Sequence, residues 1–156
     1  MSQTVEETIG YLLAKVCRAH RAGVGSVLAR IGLHVGQEMV LLELWKKDGL
    51  RGGELAERLG VEPPTVTRML KRMEACGFVE RQQDPVDARS FRVYLTERGR
   101  ALEGPVARYW EEVEEKTIAG MTPEEKTLFR QLLLRVRENL KEEKDGSQKP
   151  GDCLCG

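Results

Sequence analysis

Apolar residues fall at Val5, Ile9, Leu12, Val16, Ala19, Gly23 and Val27, at steps of three and four that trace one face of a helix. A long N-terminal helix is predicted, with a stripe that seeks a partner. Residues 37–47 (QEMVLLELWKK) are apolar nearly all round, as a helix buried on several sides would be, and Asp48-Gly49 ends it. GGELAERLGVEPPTVTRMLKRMEACG then predicts two short helices, over 53–59 and 63–76. Gly60 suits the left-handed residue after the first, and Pro63 and Pro64 fit only the first turn of the second, where a missing N–H costs nothing. The two form a helix-turn-helix. Ala56 offers the small side chain at which the second helix approaches the first.

FVERQQ and SFRVYLT read as two strands, the second alternating Phe91, Val93 and Leu95 with Arg92 and Tyr94. DPVDAR between them carries turn chemistry, so the pair is a hairpin, or wing. Thr96 caps a helix over TERGRALEGPVARYWEEVEEKT with Leu102, Val106, Tyr109 and Val113 on one face; Pro105 within it is expected to kink or open a turn. A final helix starts at Thr122-Pro123 and carries the stripe Phe129, Leu132, Leu133, Val136 and Leu140. Residues 145–156, DGSQKPGDCLCG, have the composition of a disordered tail. The fold class is therefore mainly α with a small β-wing. Its expected parts are an N-terminal dimerisation helix over 1–34, a winged helix-turn-helix core over 35–96, C-terminal dimerisation helices over 97–144 and the tail.

Charge sharpens the middle of this plan. The 156-residue chain is neutral overall, with 25 basic and 25 acidic residues, so any anion-binding face must be local. On a helical wheel for 63–76, Val66, Leu70 and Met73 share one arc, while Arg68, Lys71 and Arg72 share the opposite one. A proline-capped helix presents free N–H groups and a positive dipole end to an anion. Its arginines suit guanine O6 and N7, its threonines a thymine methyl or a phosphate, and its lysine the backbone. An isolated basic helix face is more often merely solvated. Here the preceding helix, the turn and the wing all favour a major-groove reader. Arg89 near the wing tip fits a neighbouring minor groove, with Asp87 holding its guanidinium extended.

The residues LAERLG, Thr65-Val66-Thr67-Arg68, Gly77-Phe78-Val79-Glu80-Arg81, Asp84-Pro85 with Asp87 and Arg89, and Leu95-Thr96 with Gly99 occur in this order and spacing over about 50 residues. This stretch resembles the winged helix-turn-helix core of the MarR family, the multiple antibiotic resistance regulators. The resemblance implies a dimeric, sequence-specific binder of near-palindromic double-stranded DNA, usually a repressor, released by a small aromatic effector or an oxidant. The expected DNA contacts are Pro64, Thr65, Thr67, Arg68, Lys71, Arg72, Asp87, Arg89 and Ser90. Position alone nominates His20, His34, Met39, Trp45 and Tyr109 for an effector pocket between the dimerisation helices and the core, though core packing explains each equally.

Cys17 and His20, three apart on the first helix, could meet one metal, but two ligands are not a site and a partly buried thiol beside an ordinary histidine is favoured. Some members of that family sense peroxide through a first-helix cysteine, which nominates Cys17 as a redox site. Cys76 reads as structural. Cys153 and Cys155, two apart in the tail, make at most a weak site for soft metals, and no metal or other cofactor is expected. The exposed stripes of the terminal helices predict a homodimer. A protein-interaction module without DNA binding is the other alternative, although it would have no use for a basic arc beside a wing arginine. Catalysis is not expected: the chain has two histidines, no phosphate-cradling glycine loop and no nucleophile–base pair at motif spacing. The polar, acidic N-terminus and the lack of a long apolar run point to the cytoplasm and not to a membrane.

Overall fold

A computed structural model of the chain describes residues 3–142. The expectations for 145–156, with Cys153 and Cys155, lie outside the described residues. The described chain forms two units, one running to Thr117 and one from Ile118.

The first unit opens with a 3-10 helix at Val5–Glu7, closed by Thr4 and Glu7 in a capping box. Helix α1 (Ile9–Arg30) follows. The expected continuous helix from Val5 is thus split at Thr8, whose hydroxyl oxygen accepts the Tyr11 N–H at 3.1 Å and restarts the helix as its N-cap. Helix α2 (Gln37–Lys46) leads through β1 (Leu50–Arg51) to α3 (Gly52–Leu59) and α4 (Pro63–Ala75). Gly60 closes α3 at φ 65, the left-handed conformation glycine adopts without penalty. The Val61 N–H then reaches back to the Ala56 carbonyl, and buried Ala56 leaves room for α4 to turn in against α3.

Strands β2 (Val79–Gln83) and β3 (Phe91–Leu95) pair antiparallel from Val79↔Leu95 to Gln83↔Phe91, and β1 joins the far edge of β3 with Leu50↔Val93 and Arg51↔Arg92. The sheet therefore runs β1-β3-β2. The strand β1 did not figure in the sequence pattern, since two residues carry no period.

The single helix expected after Thr96 is two, α5 (Glu97–Ala101) and α6 (Glu103–Thr117), parted at Leu102. Pro105 has no N–H for the Ala101 carbonyl, and its ring displaces that carbonyl. The opening accordingly falls a turn before the proline. Val106 and Tyr109 are buried on α6, with Leu102 and Val113 half-buried beside them.

The core gathers Leu28 of α1, Leu41 and Leu44 of α2, Leu55 of α3, Leu70 and Met73 of α4, Phe78, Val93 and Val106. It holds the helix-turn-helix and the base of the wing as one body. The second unit carries α7 (Pro123–Glu142), started by a reciprocal cap: the Glu125 N–H donates to Thr122 Oγ1 at 3.2 Å and the Thr122 N–H to Glu125 Oε2 at 2.9 Å.

Candidate nucleic-acid interface

Helix α4 presents two faces. Val66, Leu70 and Met73 are no more than 1% exposed and fix its azimuth against α3 and β2, so Arg68, Lys71 and Arg72 must point to solvent. None of those three makes an ion pair among the described residues. Pro64 is exposed; Thr65 and Thr67 are half-buried. The Thr67 hydroxyl donates to the Pro63 carbonyl at 3.1 Å, which occupies its proton. The helix ends at Cys76, which is exposed and is not the structural thiol the sequence suggested. Position 76 lies past the apolar arc because the chain has begun to turn at Gly77.

At the wing, sequence reasoning missed the organising residue. Asp84 follows β2 with its side chain fully buried, and all its acceptor capacity is used. Oδ1 accepts the N–H groups of Val86 at 2.8 Å and Asp87 at 3.3 Å; Oδ2 accepts Arg51 Nε at 2.8 Å and Arg92 Nε at 3.0 Å. The backbone N–H of Val86 and the Arg51 guanidinium outweigh the cost of burial and hold this carboxyl at a pKa of about 2. The Asp-Pro turn signal gave its place but not its partners.

Asp87 acts differently from the expectation. Its Oδ1 accepts the backbone N–H of Arg89 at 3.0 Å, and no Asp87–Arg89 ion pair forms among the described residues. It shapes the turn that carries Arg89 and leaves the guanidinium exposed. Ser90 donates N–H and hydroxyl to the Asp87 carbonyl at 3.1 and 3.3 Å. Between the wing tip and the N-terminal ends of α3 and α4 lies a cleft of about 400 Å³, where Pro63 and Thr67 face Asp87, Arg89 and Ser90. The structure thus brings Thr67 together with the wing residues, while Arg68, Lys71 and Arg72 lie outside the cleft.

The residues nominated for an effector pocket do not converge. His20 lies on a groove of about 430 Å³ between α1 and α6, with Val16, Gly23, Val27, Val113 and Lys116. His34 and Met39 are exposed and outside that groove. Trp45 is half-buried and donates Nε1–H to the Gly99 carbonyl at 3.2 Å, fastening α2 to α5. Tyr109 is 2% exposed and its hydroxyl has no partner among the described residues. Burial first, then the nearby Glu38 carboxylate, pushes its pKa up to about 12. Glu38 is itself raised by burial.

Cys17 is exposed in the single subunit, contrary to the partly buried thiol expected beside His20, because α1 buries only Val24 and Leu28 in its C-terminal half. Among the described residues, no three His, Cys, Asp or Glu side chains are gathered where they would hold a metal, and no helix is long and apolar enough to cross a membrane.

A helix-turn-helix whose second helix turns a cationic face to solvent, followed by a β-hairpin, defines a winged helix-turn-helix protein. The MarR family model matches residues 33–91. The regulator TtmR of Methylorubrum extorquens is 35% identical over 147 residues, 90% of this chain and 74% of that protein. A helix-turn-helix transcriptional repressor of Mycobacterium tuberculosis is 30% identical over 128 residues, 82% of this chain and 92% of its own. Among solved structures, MarR superposes with a TM-score of 0.78 at 28% identity, covering 94% of this chain and 100% of its own. A mutant of Escherichia coli MarR complexed with operator DNA gives 0.78 at 27% identity over 86% of this chain and 99% of its own. The chain belongs to the MarR family of helix-turn-helix transcriptional regulators.

Proposed function

We propose that the protein binds near-palindromic double-stranded DNA as a homodimer in the cytoplasm and represses transcription until a small-molecule or oxidant signal releases it. One observation carries this reading: Arg68, Lys71 and Arg72 on α4 and Arg89 on the wing are all solvent-facing and unpaired among the described residues, on two elements fixed to one core. Helix α4 enters the major groove, where Arg68 is placed for a guanine edge and Lys71 and Arg72 for phosphates. Thr65, Thr67 and Pro64 approach at the helix start, and Arg89 takes the adjacent minor groove with Asp87 and Ser90 shaping its turn. That a relative of the same fold is complexed with operator DNA supports the DNA-binding reading.

Dimerisation rests on exposed apolar surface. On the N-terminal segment Val5, Ile9, Leu12 and Val16 are 50–77% exposed, and on α7 Leu128, Leu132, Leu133 and Leu140 are 43–55% exposed. Burying each is worth about 1.5–3 kcal/mol, more than a soluble chain leaves to water in such rows.

The test is selection of duplexes from random sequence. The expected product is a pair of inverted half-sites with centres about 34–36 Å apart, one turn of B-DNA. Enrichment of a single half-site, or of none, overturns the reading. Adding peroxide or phenolic acids to the bound duplex then identifies the class of signal, and loss of the peroxide response in Cys17→Ser assigns it to that thiol.

A further inference from the structure

The wing tip is a short excursion, residues 84–90, beyond the last strand pair Gln83↔Phe91. A free hairpin is a marginal structure in water, so something must hold its tip if Arg89 is to meet a groove in a fixed place. The bonds within the tip form a relay. Asp84 Oδ1 orders the N–H groups of Val86 and Asp87, and Asp87 Oδ1 orders the N–H of Arg89. The other Asp84 oxygen accepts Arg92 of β3 and also reaches beyond the hairpin to Arg51, the residue that directly precedes α3.

Arg51 stands at the N-cap of α3, where a short polar side chain would normally bond the first-turn N–H groups, and it makes no such bond. Its side chain reaches the wing instead. The backbone pairing Arg51↔Arg92 places both guanidinium groups on the same carboxylate oxygen, and Arg92 also donates Nη1–H to the Gly49 carbonyl at 3.0 Å. A carboxylate offers about four lone-pair sites, and Asp84 has four donors. Among the described residues, no other wing side chain hydrogen-bonds both to the tip and to the start of the helix-turn-helix.

We propose that Arg51 and Asp84 are positioning residues for DNA recognition, setting where Arg89 stands relative to α4 without themselves touching the duplex. This rests on the DNA-binding reading above. Arg51 serves as the strut between α3 and the wing, and Asp84 as the joint that converts that strut into a fixed tip.

The experiment is a double-mutant cycle on the selected duplex, read by fluorescence anisotropy, with Arg51→Met, Asp84→Asn and Arg89→Ala alone and in pairs. Arg51→Met and Asp84→Asn are each expected to weaken binding about tenfold in the wild-type background. In the Arg89→Ala background the same changes are expected to cost less than about twofold, since the residue they position is gone. Additive losses overturn the proposal, as does a loss from Arg51→Met that steepens or flattens with salt in the Arg89→Ala background, which would make Arg51 a direct phosphate contact.

Should Asp84→Asn unfold the wing, Arg51→Met alone decides, because it leaves Asp84 paired with Arg92. Amide exchange of the free protein gives an arm independent of DNA: Val86, Asp87 and Arg89 amides should exchange about tenfold faster in Arg51→Met while Leu70 and Met73 do not change. Unchanged tip protection overturns the proposal. Failure of the wild-type protein to bind any duplex would sink the functional reading and leave this exchange measurement to judge the positioning role.

Discussion

Removing Lys71 and Arg72 together gives a quantitative test of the cationic face. Arg51 and Arg92 are committed to Asp84, Arg81 to Glu74, Arg58 to Glu43 and Arg100 to Asp48, each within 3.2 Å. Arg68, Lys71, Arg72 and Arg89 have no such partner among the described residues, which gives four available cations on the α4 and wing faces of each subunit and eight in a dimer. If all eight displace counterions, log affinity falls with log salt at a slope of about −7, and a rise from about 50 to 200 mM costs roughly 10⁴ in affinity. Lys71→Ala/Arg72→Ala removes four of the eight and should bring the slope to about −3.6.

The control is Arg137→Ala on α7, whose guanidinium is already paired with Glu138 at 3.2 Å; its slope should match the wild type. Anisotropy titrations with a fixed labelled duplex across that salt range measure all three. A double variant that binds more weakly but with the wild-type slope would show that Lys71 and Arg72 do not meet phosphates, and the assignment of the α4 face would fall.

Three further outcomes follow from the packing. A Cβ on Gly99 would overlap the Phe78 carbonyl oxygen, which the Thr96 N–H already holds, so Gly99→Ala should cost about 3 kcal/mol and lower Tm by roughly 6–12 °C; an unshifted calorimetric Tm would refute this. Tyr109→Phe removes a buried hydroxyl without a partner and should raise stability by about 1 kcal/mol in urea unfolding, whereas a fall would reveal an unseen acceptor. Asp84 has its folded pKa depressed from 3.8 to about 2, so its contribution is complete above pH ~4 and fades as pH falls from there through 2; Asp84→Asn should flatten the acid limb of the stability profile in that window, and a shift confined to higher pH would exclude Asp84 as its source.

How far the sequence reached depended on the range of each interaction. The two faces of α4 were legible because Val66, Leu70 and Met73 repeat at helical spacing and the charges fill the gaps. Gly60 and the two prolines located the turn because each has a conformational preference that needs no context. The Arg51–Asp84 bond joins residues 33 apart, and nothing near Arg51 announces that it will cap a wing rather than a helix. Thr8 was lost inside a continuous apolar stripe, since periodicity continues across a restart that only the cap's backbone angles reveal. Cys17 and Cys76 were both placed too deep, the first from its neighbours on a stripe and the second by extending the α4 wheel past the helix end.

The α1 stripe shows why periodicity and burial are separate properties. Its apolar positions run without interruption from Ile9 to Leu28, yet Ile9 is 77% exposed and Leu28 fully buried. The C-terminal half meets α6 and the core, while Ile9, Leu12 and Val16 in the N-terminal half stay at least half exposed. A stripe encodes only that a face must be covered. Which surface covers it depends on how far the fold extends alongside: α6 lines α1 only as far as Val16 and Ala19, which share a groove with Lys116 and Thr117 at the C-terminal end of α6.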